Sequence, residues 1–147
     1  AKPREHLGMS QDPESWQRVV FLTLPDGRQP AQEFLARIDP RIRDRLLKYV
    51  GEVVSDTRRS AAPSGAWKPM REGLGGVSEI RCTGPGRKHY RLFVLVDKIA
   101  VGSKELPRFV VLDGAVKANA TLLPESFYRH VEYLTTEYWR SLDHPAP

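Results

Sequence analysis

The sequence predicts an α+β domain in which helices pack against a mostly antiparallel sheet. A strand-like run rich in β-branched and aromatic residues precedes two short amphipathic helices. Three further strand-like runs with short connections lead to a last amphipathic helix, so the predicted order is β-α-α-β-β-β-α. Consecutive strands with short links are typical of antiparallel sheets, whose apolar faces are buried by helices.

The first half of the chain supplies one strand and two helices. The strand is the run at residues 16–24, which ends at the turn Pro25-Asp26-Gly27. The first helix begins at Pro30, and the Asp39-Pro40 junction ends it and starts the second, because proline suits a first helical position. Apolar residues recur at helical spacing from Ile42 to Val53 and predict the buried side of the second helix.

The second half supplies three strands and the final helix. The strand-like runs lie at residues 77–82, 89–96 and 108–112, and the middle run is the most apolar. We therefore expect it to be a central strand. The last helix begins near Pro124, and its apolar residues from Phe127 to Tyr138 recur at spacings of four, three and four.

Length and composition predict one globular domain. The chain has 147 residues, of which 40% are hydrophobic and 28% charged. We expect a loose N-terminal arm over residues 1–15, a folded domain over residues 16–140 and a frayed tail over residues 141–147. No apolar run reaches the roughly 18 residues of a membrane-spanning helix or resembles a signal peptide. With Cys82 as the only cysteine, the sequence predicts a cytoplasmic protein with no disulfide and no membrane partner.

The positive charge is concentrated in one stretch. Six lysines and arginines stand between Trp67 and Arg91 against two glutamates, which accounts for +4 of the net charge of +5. A positive excess suits a nucleic-acid partner, although a solvated charged face gives the same pattern. The basic residues are Lys68, Arg71, Arg81, Arg87, Lys88 and Arg91.

Two of these arginines are expected to be neighbours in the sheet. Arg81 and Arg91 lie on strands joined by a short turn, and adjacent strands are about 4.8 Å apart. Alternation puts Glu79 on the face of Arg81, and His89 on the face of Arg91. Arginine is seldom buried without a partner, so Arg91 needs an anion. That anion is either a ligand phosphate held by both guanidinium groups, or Glu79 in an ion pair that only joins two strands.

Familiar catalytic motifs are absent from the sequence. It contains no phosphate-loop consensus and no serine elbow, and its four histidines show no metal-ligand spacing. We therefore expect neither a metal nor a cofactor. Cys82 has no activating partner at motif spacing, so we expect it to pack rather than react.

Several short motifs occur in a recognisable order. They are W-K-P-M at 67–70, G-V-S-E-I-R at 76–81, Y-R-L-F at 90–93, V-L-D-G-A-V-K at 111–117, and a threonine and a proline at the ends of 121–124. This order resembles the signature of the RelE/ParE toxin superfamily, most closely its HigB-like or phage Gp49-like branch. The resemblance covers about residues 16–140 and implies a RelE-like fold.

The resemblance implies the toxin of a type II toxin–antitoxin pair. Such a toxin is a metal-independent, ribosome-associated mRNA endonuclease that inhibits translation. The chemistry needs a base for the ribose 2′-OH, cations for the pentacovalent phosphate and an acid for the 5′-oxygen. By motif position, Arg81 and Arg91 stabilise the phosphate, Lys117 adds a cation, and His89 and Tyr90 are the acid and base candidates.

The resemblance also implies partners. These are the ribosome, mRNA and a cognate antitoxin, expected to be of the helix-turn-helix type. Two surfaces are open to the antitoxin: the basic sheet around Arg81, Arg91 and Lys117, which attracts an acidic segment, and an apolar face of the helices over residues 34–53. We favour the helices, from which the antitoxin blocks entry to the ribosome. The expected RNA- and ribosome-binding residues are Lys68, Arg71, Arg87 and Lys88.

Some positions depart from the pattern of the family. Ala118 stands where relatives often have a second lysine, and Ala115 where an aromatic is usual. Val77 and Glu79 occupy the strand on which ribosome-dependent RelE members carry catalytic lysines. This reduced set favours an alternative, a ParE-like or catalytically degenerate protein that acts by binding a protein partner.

Overall fold

The computed structural model describes residues 18–55, 67–69, 76–97, 108–118 and 123–142. The predicted N-terminal arm at residues 1–15, Arg71, and the tail from residue 143 onward lie outside this part of the chain. The boundaries of the folded domain therefore stay predictions.

The elements confirm the α+β class. In chain order they are β1 (Val19–Phe21), α1 (Pro30–Arg37), α2 (Pro40–Ser55), β2 (Trp67–Pro69), β3 (Val77–Thr83), β4 (His89–Asp97), β5 (Arg108–Lys117) and α3 (Glu125–Ser141), with a 3-10 turn at Pro85–Arg87. The order differs from the prediction by one strand, β2. Its three residues are too few for alternation to be visible, and they end in a proline, which argues against a strand.

The five strands form one sheet in the order β1-β5-β4-β3-β2, with β4 in the middle. The pairs β2–β3, β3–β4 and β4–β5 are antiparallel. The pair β1–β5 is parallel, with Val19 opposite Phe109. A parallel pair needs a long crossover between its strands, and α1 and α2 lie within that crossover.

Helices cover both faces of the sheet. On one face α1 and α2 bury an apolar cluster that includes Leu46, Leu92 and Val111. On the other, α3 buries a second cluster that includes Leu95 and Val110. We call these the α1–α2 face and the α3 face. Burial of this apolar surface is the main stabilising term of the fold.

A β-bulge in β5 changes which residues point to which face. The register between β4 and β5 shifts between Phe93 and Val94, so that Phe93 lies opposite Asp113 and Val94 opposite Val111. Leu112 is the extra residue. Beyond it Asp113 points to α3, whereas strict alternation from Val111 would turn it to the α1–α2 face. The bulge therefore decides the facing of every later residue of β5.

One glycine in β5 allows α1 to approach the sheet closely. A Cβ atom built on Gly114 would lie 2.2 Å from the ring of Phe34. No side chain fits at that distance, so the phenylalanine packs directly on the backbone of the strand.

Candidate functional site

Strand register brings the predicted site residues together in cross-strand rows on the α3 face. Residues directly opposite each other in an antiparallel pair share a face, and successive rows are about 7 Å apart. The three rows are Glu79–Phe93–Asp113, Arg81–Arg91–Ala115 and Thr83–His89–Lys117. We call Arg81, Arg91, His89 and Lys117 the basic cluster.

Glu79 lies within ion-pair distance of both arginines of the cluster. Its Oε1 is 3.6 Å from Arg91 Nη1 and 3.7 Å from Arg81 Nε. These distances exceed those of hydrogen bonds. The ion pair considered from the sequence is therefore present. Among the described residues, one carboxylate faces two guanidinium groups, which leaves an excess positive charge.

Arg91 is the most deeply buried member of the basic cluster. It is 5% exposed, and neither its Nε nor Glu79 Oε1 has a hydrogen-bond partner among the described residues. A buried donor without a partner costs about 1–3 kcal/mol. The Arg81 side chain is 32% exposed, so it is the guanidinium that solvent or a ligand reaches. An anion at this place would accept the missing hydrogen bond from Arg91 Nε and would supply the missing negative charge.

Tyr90 does not belong to this cluster, contrary to its predicted acid–base role. It packs in the α1–α2 core, where its ring lies beside Gly84 and near Ile42. The reason is the alternation of β4: His89 and Tyr90 are consecutive, so their side chains point to opposite faces. Of these two residues, the structure brings only His89 to the arginines.

The predicted RNA-binding residues that the structure describes lie on the hairpin that joins β3 to β4 and on the sheet edge. Arg87 and Lys88 are exposed at the hairpin tip. Arg87 has a φ of 63°, a left-handed backbone conformation that residues other than glycine rarely adopt. Lys68 stands opposite Glu79 in the register of β2 and β3.

Compared with known proteins, the chain matches no family model, no curated protein and no solved structure. Membership of the RelE/ParE superfamily therefore stays a prediction that rests on the order of the motifs. The geometry of the basic cluster is independent of that resemblance, since it follows from strand register and burial.

A histidine and an aspartate next to the basic cluster were not among the predicted site residues. His130 Nε2 of α3 lies 2.8 Å from Asp113 Oδ2 of β5, and the Asp113 Oδ1 accepts the backbone N–H of Gly114 at 2.7 Å. The predicted strand ended at Leu112, one residue short of Asp113, so alternation could not assign Asp113 to a face. The bulge before Gly114 is what turns Asp113 towards His130.

A second polar cluster lies at the far end of the α3 face. Tyr138 donates a hydrogen bond of 2.5 Å to Asp97 and accepts one of 3.4 Å from Arg108. Burial, with the hydrogen bond to Asp97, raises the pKa of Tyr138 to about 12. Tyr138 and Asp97 are 3% and 0% exposed, so this cluster joins α3 to the sheet rather than facing a ligand.

The helices expected to bind an antitoxin present a different surface from the one predicted. Their apolar residues, including Phe34 and Val53, are buried against the sheet. An apolar side used for the core is not available to a partner, so the expected apolar contact is wrong. The exposed basic residues of α1 and α2 are Arg37, Arg41, Arg45 and Lys48.

The described residues contain neither a metal-binding cluster nor a membrane-spanning helix. Within residues 18–55, 67–69, 76–97, 108–118 and 123–142, no three histidine, cysteine or acidic side chains lie close enough to hold a metal ion. None of the helices there is long and apolar enough to cross a bilayer.

Proposed function

We propose that this protein is the toxin of a type II toxin–antitoxin pair and cleaves mRNA at the ribosome, in the cytoplasm, without a metal. One observation carries the proposal. Arg81 and Arg91 lie opposite each other on the α3 face, with one carboxylate between them and with Arg91 Nε lacking a partner among the described residues. The order of the motifs supports the same function independently.

The basic cluster suits a scissile phosphate. Arg81, being partly exposed, contacts a phosphate oxygen, while buried Arg91 supplies a fixed positive charge behind it. Fixed cations act most strongly on a transition state because they need no reorganisation as charge develops. Lys117 lies opposite His89 one row further on and extends the positive surface along the RNA.

The test is cleavage of a defined mRNA in a translating extract. We expect the wild-type protein to cut, and Arg81→Gln to cut about 100-fold more slowly, because one transition-state cation is lost. Arg37→Gln is the matched control, since Arg37 is exposed on α1. The absence of cleavage by the wild-type protein would overturn the proposal.

The antitoxin follows from the resemblance, and the structure changes how we expect it to bind. The exposed side of α1 and α2 is basic, so an antitoxin that binds there needs an acidic segment. We expect that complex to weaken as salt rises, in the same direction as ribosome binding. Titration of both complexes against salt measures this, and an antitoxin complex insensitive to salt would contradict a charged contact.

A second candidate is favoured by the ion pairs of Glu79 and by the inward position of Tyr90. Both leave fewer groups for catalysis, as expected of a ParE-like protein that inhibits a protein partner. Under this alternative, Arg81→Gln retains growth inhibition when expressed without antitoxin. Under the nuclease proposal, it loses growth inhibition in parallel with cleavage.

A further inference from the structure

We infer that His130 is the catalytic base of the cleavage site and that Asp113 is its positioning residue. This inference rests on the proposed function and assigns a role to His130, which lies outside the motifs, and to Asp113, which lies within the motif at 111–117 but had no predicted role. The inward position of Tyr90 leaves the basic cluster with His89 as its only predicted acid–base group. The His130–Asp113 pair supplies a second one on the same face.

The geometry of the pair is that of an oriented base. Asp113 accepts hydrogen bonds on both oxygens, from His130 and from the Gly114 N–H, so the carboxylate is fixed from two sides. A hydrogen bond at one ring nitrogen orients the imidazole and leaves the other nitrogen to exchange a proton. The His130 side chain is 41% exposed, so the imidazole is open to solvent while it contacts Asp113.

An aromatic contact fixes the ring as well. Phe127 lies 5.7 Å from the His130 ring and 5.0 Å from Phe93, ring centre to ring centre. Phe93 stands in the same row as Asp113 on the sheet. The imidazole is thus held by β5 on one side and through Phe127 by β4 on the other, which limits its motion.

The bulge in β5 places the pair beside the arginines. Asp113 stands one row from Arg91, which is opposite Ala115. Diagonal neighbours in such a sheet are about 7–8 Å apart at the backbone, within reach of an imidazole and a guanidinium that hold one phosphodiester. Without the extra residue Leu112, Asp113 would point to the α1–α2 face, away from both.

The charges around the His130–Asp113 pair come from the sheet and from the loop before α1. Asp113 of β5 contacts His130 directly, and the ion-paired Glu79 and Arg91 lie in the same and the next row. Arg28 of the loop interacts electrostatically with Asp113. On α3, the residues three and four positions away carry no charge at neutral pH. They are Ser126, Phe127, Tyr133 and Leu134.

The step assigned to His130 is proton removal. The 2′-oxygen attacks the adjacent phosphorus, and the proton of the 2′-OH passes to His130. The bond from phosphorus to the 5′-oxygen breaks, and that oxygen leaves with the electron pair and takes a proton from water. His130 returns its proton to solvent, so the products are a 2′,3′-cyclic phosphate and a 5′-hydroxyl end with no net change in charge.

The experiment measures cleavage and ribosome binding separately in the full-length protein. We expect His130→Gln to cut at least 100-fold more slowly, because glutamine keeps a hydrogen-bond donor for Asp113 but cannot take a proton. Its co-sedimentation with ribosomes should stay within twofold of wild type. Glu132→Gln is the control, because Glu132 is exposed on the same helix.

The pH profile separates catalysis from a structural role. A base works only when deprotonated, so the rate of wild-type cleavage should fall towards acid pH. This acid limb of the pH–rate profile should be missing in His130→Gln. In Asp113→Asn the limb should remain, while cleavage slows and co-sedimentation with ribosomes is unchanged, because His130 is present but no longer held in place. A structural defect in either variant would lower cleavage and ribosome binding together.

Each outcome has a separate meaning. If the wild-type protein cuts and His130→Gln cuts equally fast, the role of His130 is wrong while the nuclease proposal stands. If His130→Gln loses ribosome binding and cleavage together, His130 is a binding residue and the inference fails. If the wild-type protein does not cut at all, the proposed function and the inference fail together.

Discussion

The α1–α2 face and the α3 face of the sheet are built from the same strands, but they bury different side chains. Under α1 and α2 the buried core residues are apolar along the sheet, from Ile80 on β3 to Phe109 on β5. Under α3 the apolar core ends near Phe93, and the rows around it contain buried Glu79 and Arg91. Apolar burial stabilises a fold, whereas buried ion pairs seldom do so in comparison with apolar residues of similar volume. The α3 face therefore retains charges that stability alone does not require.

The largest effect is expected from removing the carboxylate between the arginines. Glu79→Ala should lower the free energy of unfolding by about 3 kcal/mol, because it leaves two cations together and Arg91 buried without a counter-charge. Urea denaturation measures the change. Glu132→Ala on the exposed side of α3 should change it by less than about 0.5 kcal/mol.

A combined variant sharpens the comparison between the faces. Replacing Glu79 and Arg91 together by leucine and methionine should restore most of the stability, because an apolar pair of similar volume fits a buried site. The same variant should not cleave RNA. If it is as unstable as Glu79→Ala, the buried pair stabilises the fold and the argument for a functional charge weakens.

A smaller effect is expected on the apolar side. Gly114→Ala should lower the free energy of unfolding by about 2 kcal/mol, because its Cβ would overlap the Phe34 ring. In a protein that already carries Phe34→Leu, Gly114→Ala should lower the free energy of unfolding much less, since the smaller side chain leaves room. A double-mutant cycle measures this coupling, and additive effects would show that α1 does not pack on Gly114.

The sequence predicted the parts of the fold that depend on local periodicity. Pro30 and Pro40 begin the two helices as predicted, and the most apolar run is the middle strand. The last predicted strand ended at Leu112, where the apolar run stops. The strand in fact continues to Lys117 through the bulge, which no alternation pattern contains.

The candidate site was predictable only where it lies within one hairpin. A short turn fixes the register of its two strands, so the pairing of Arg81 with Arg91 follows from the sequence. The contact of His130 with Asp113 depends on a bulge and on how α3 docks, both of which are tertiary features. Tyr90 was wrongly grouped with His89 because adjacency in sequence was given more weight than alternation along the strand.

An effect of about 1 kcal/mol is expected at the far end of the α3 face. Tyr138→Phe removes the hydrogen bond to Asp97 and should lower the free energy of unfolding by about that amount. The pKa of Tyr138 is raised to about 12 in the folded protein, above the value of about 10 for an unfolded chain. The folded state thus binds the proton more tightly, and stability should fall as pH rises from about 10 to about 12. Denaturation across this range measures the loss, which should be absent in Tyr138→Phe.

The smallest effect on stability is expected at the hairpin tip, which belongs to neither face. Arg87→Gly should raise the free energy of unfolding by about 0.5 kcal/mol, because glycine adopts the left-handed conformation without strain. The same change removes a cation. The slope of the logarithm of the ribosome-binding constant against the logarithm of the salt concentration should therefore become shallower by about one, the loss of one phosphate contact. Arg87→Asn should show the same change in salt dependence, since asparagine tolerates this conformation.

The parallel pairing of β1 with β5 has a consequence for the nascent chain. Val19 is made early, but its partner Phe109 and the rest of β5 are made late. Pairing between positions distant in sequence slows folding. Here it also means that the sheet cannot be completed until β5 has been synthesised. A ribosome that stalls before residue 108 releases a chain without the strand that carries Asp113 and Lys117, and without the helix that carries His130. Incomplete translation products therefore lack an assembled site.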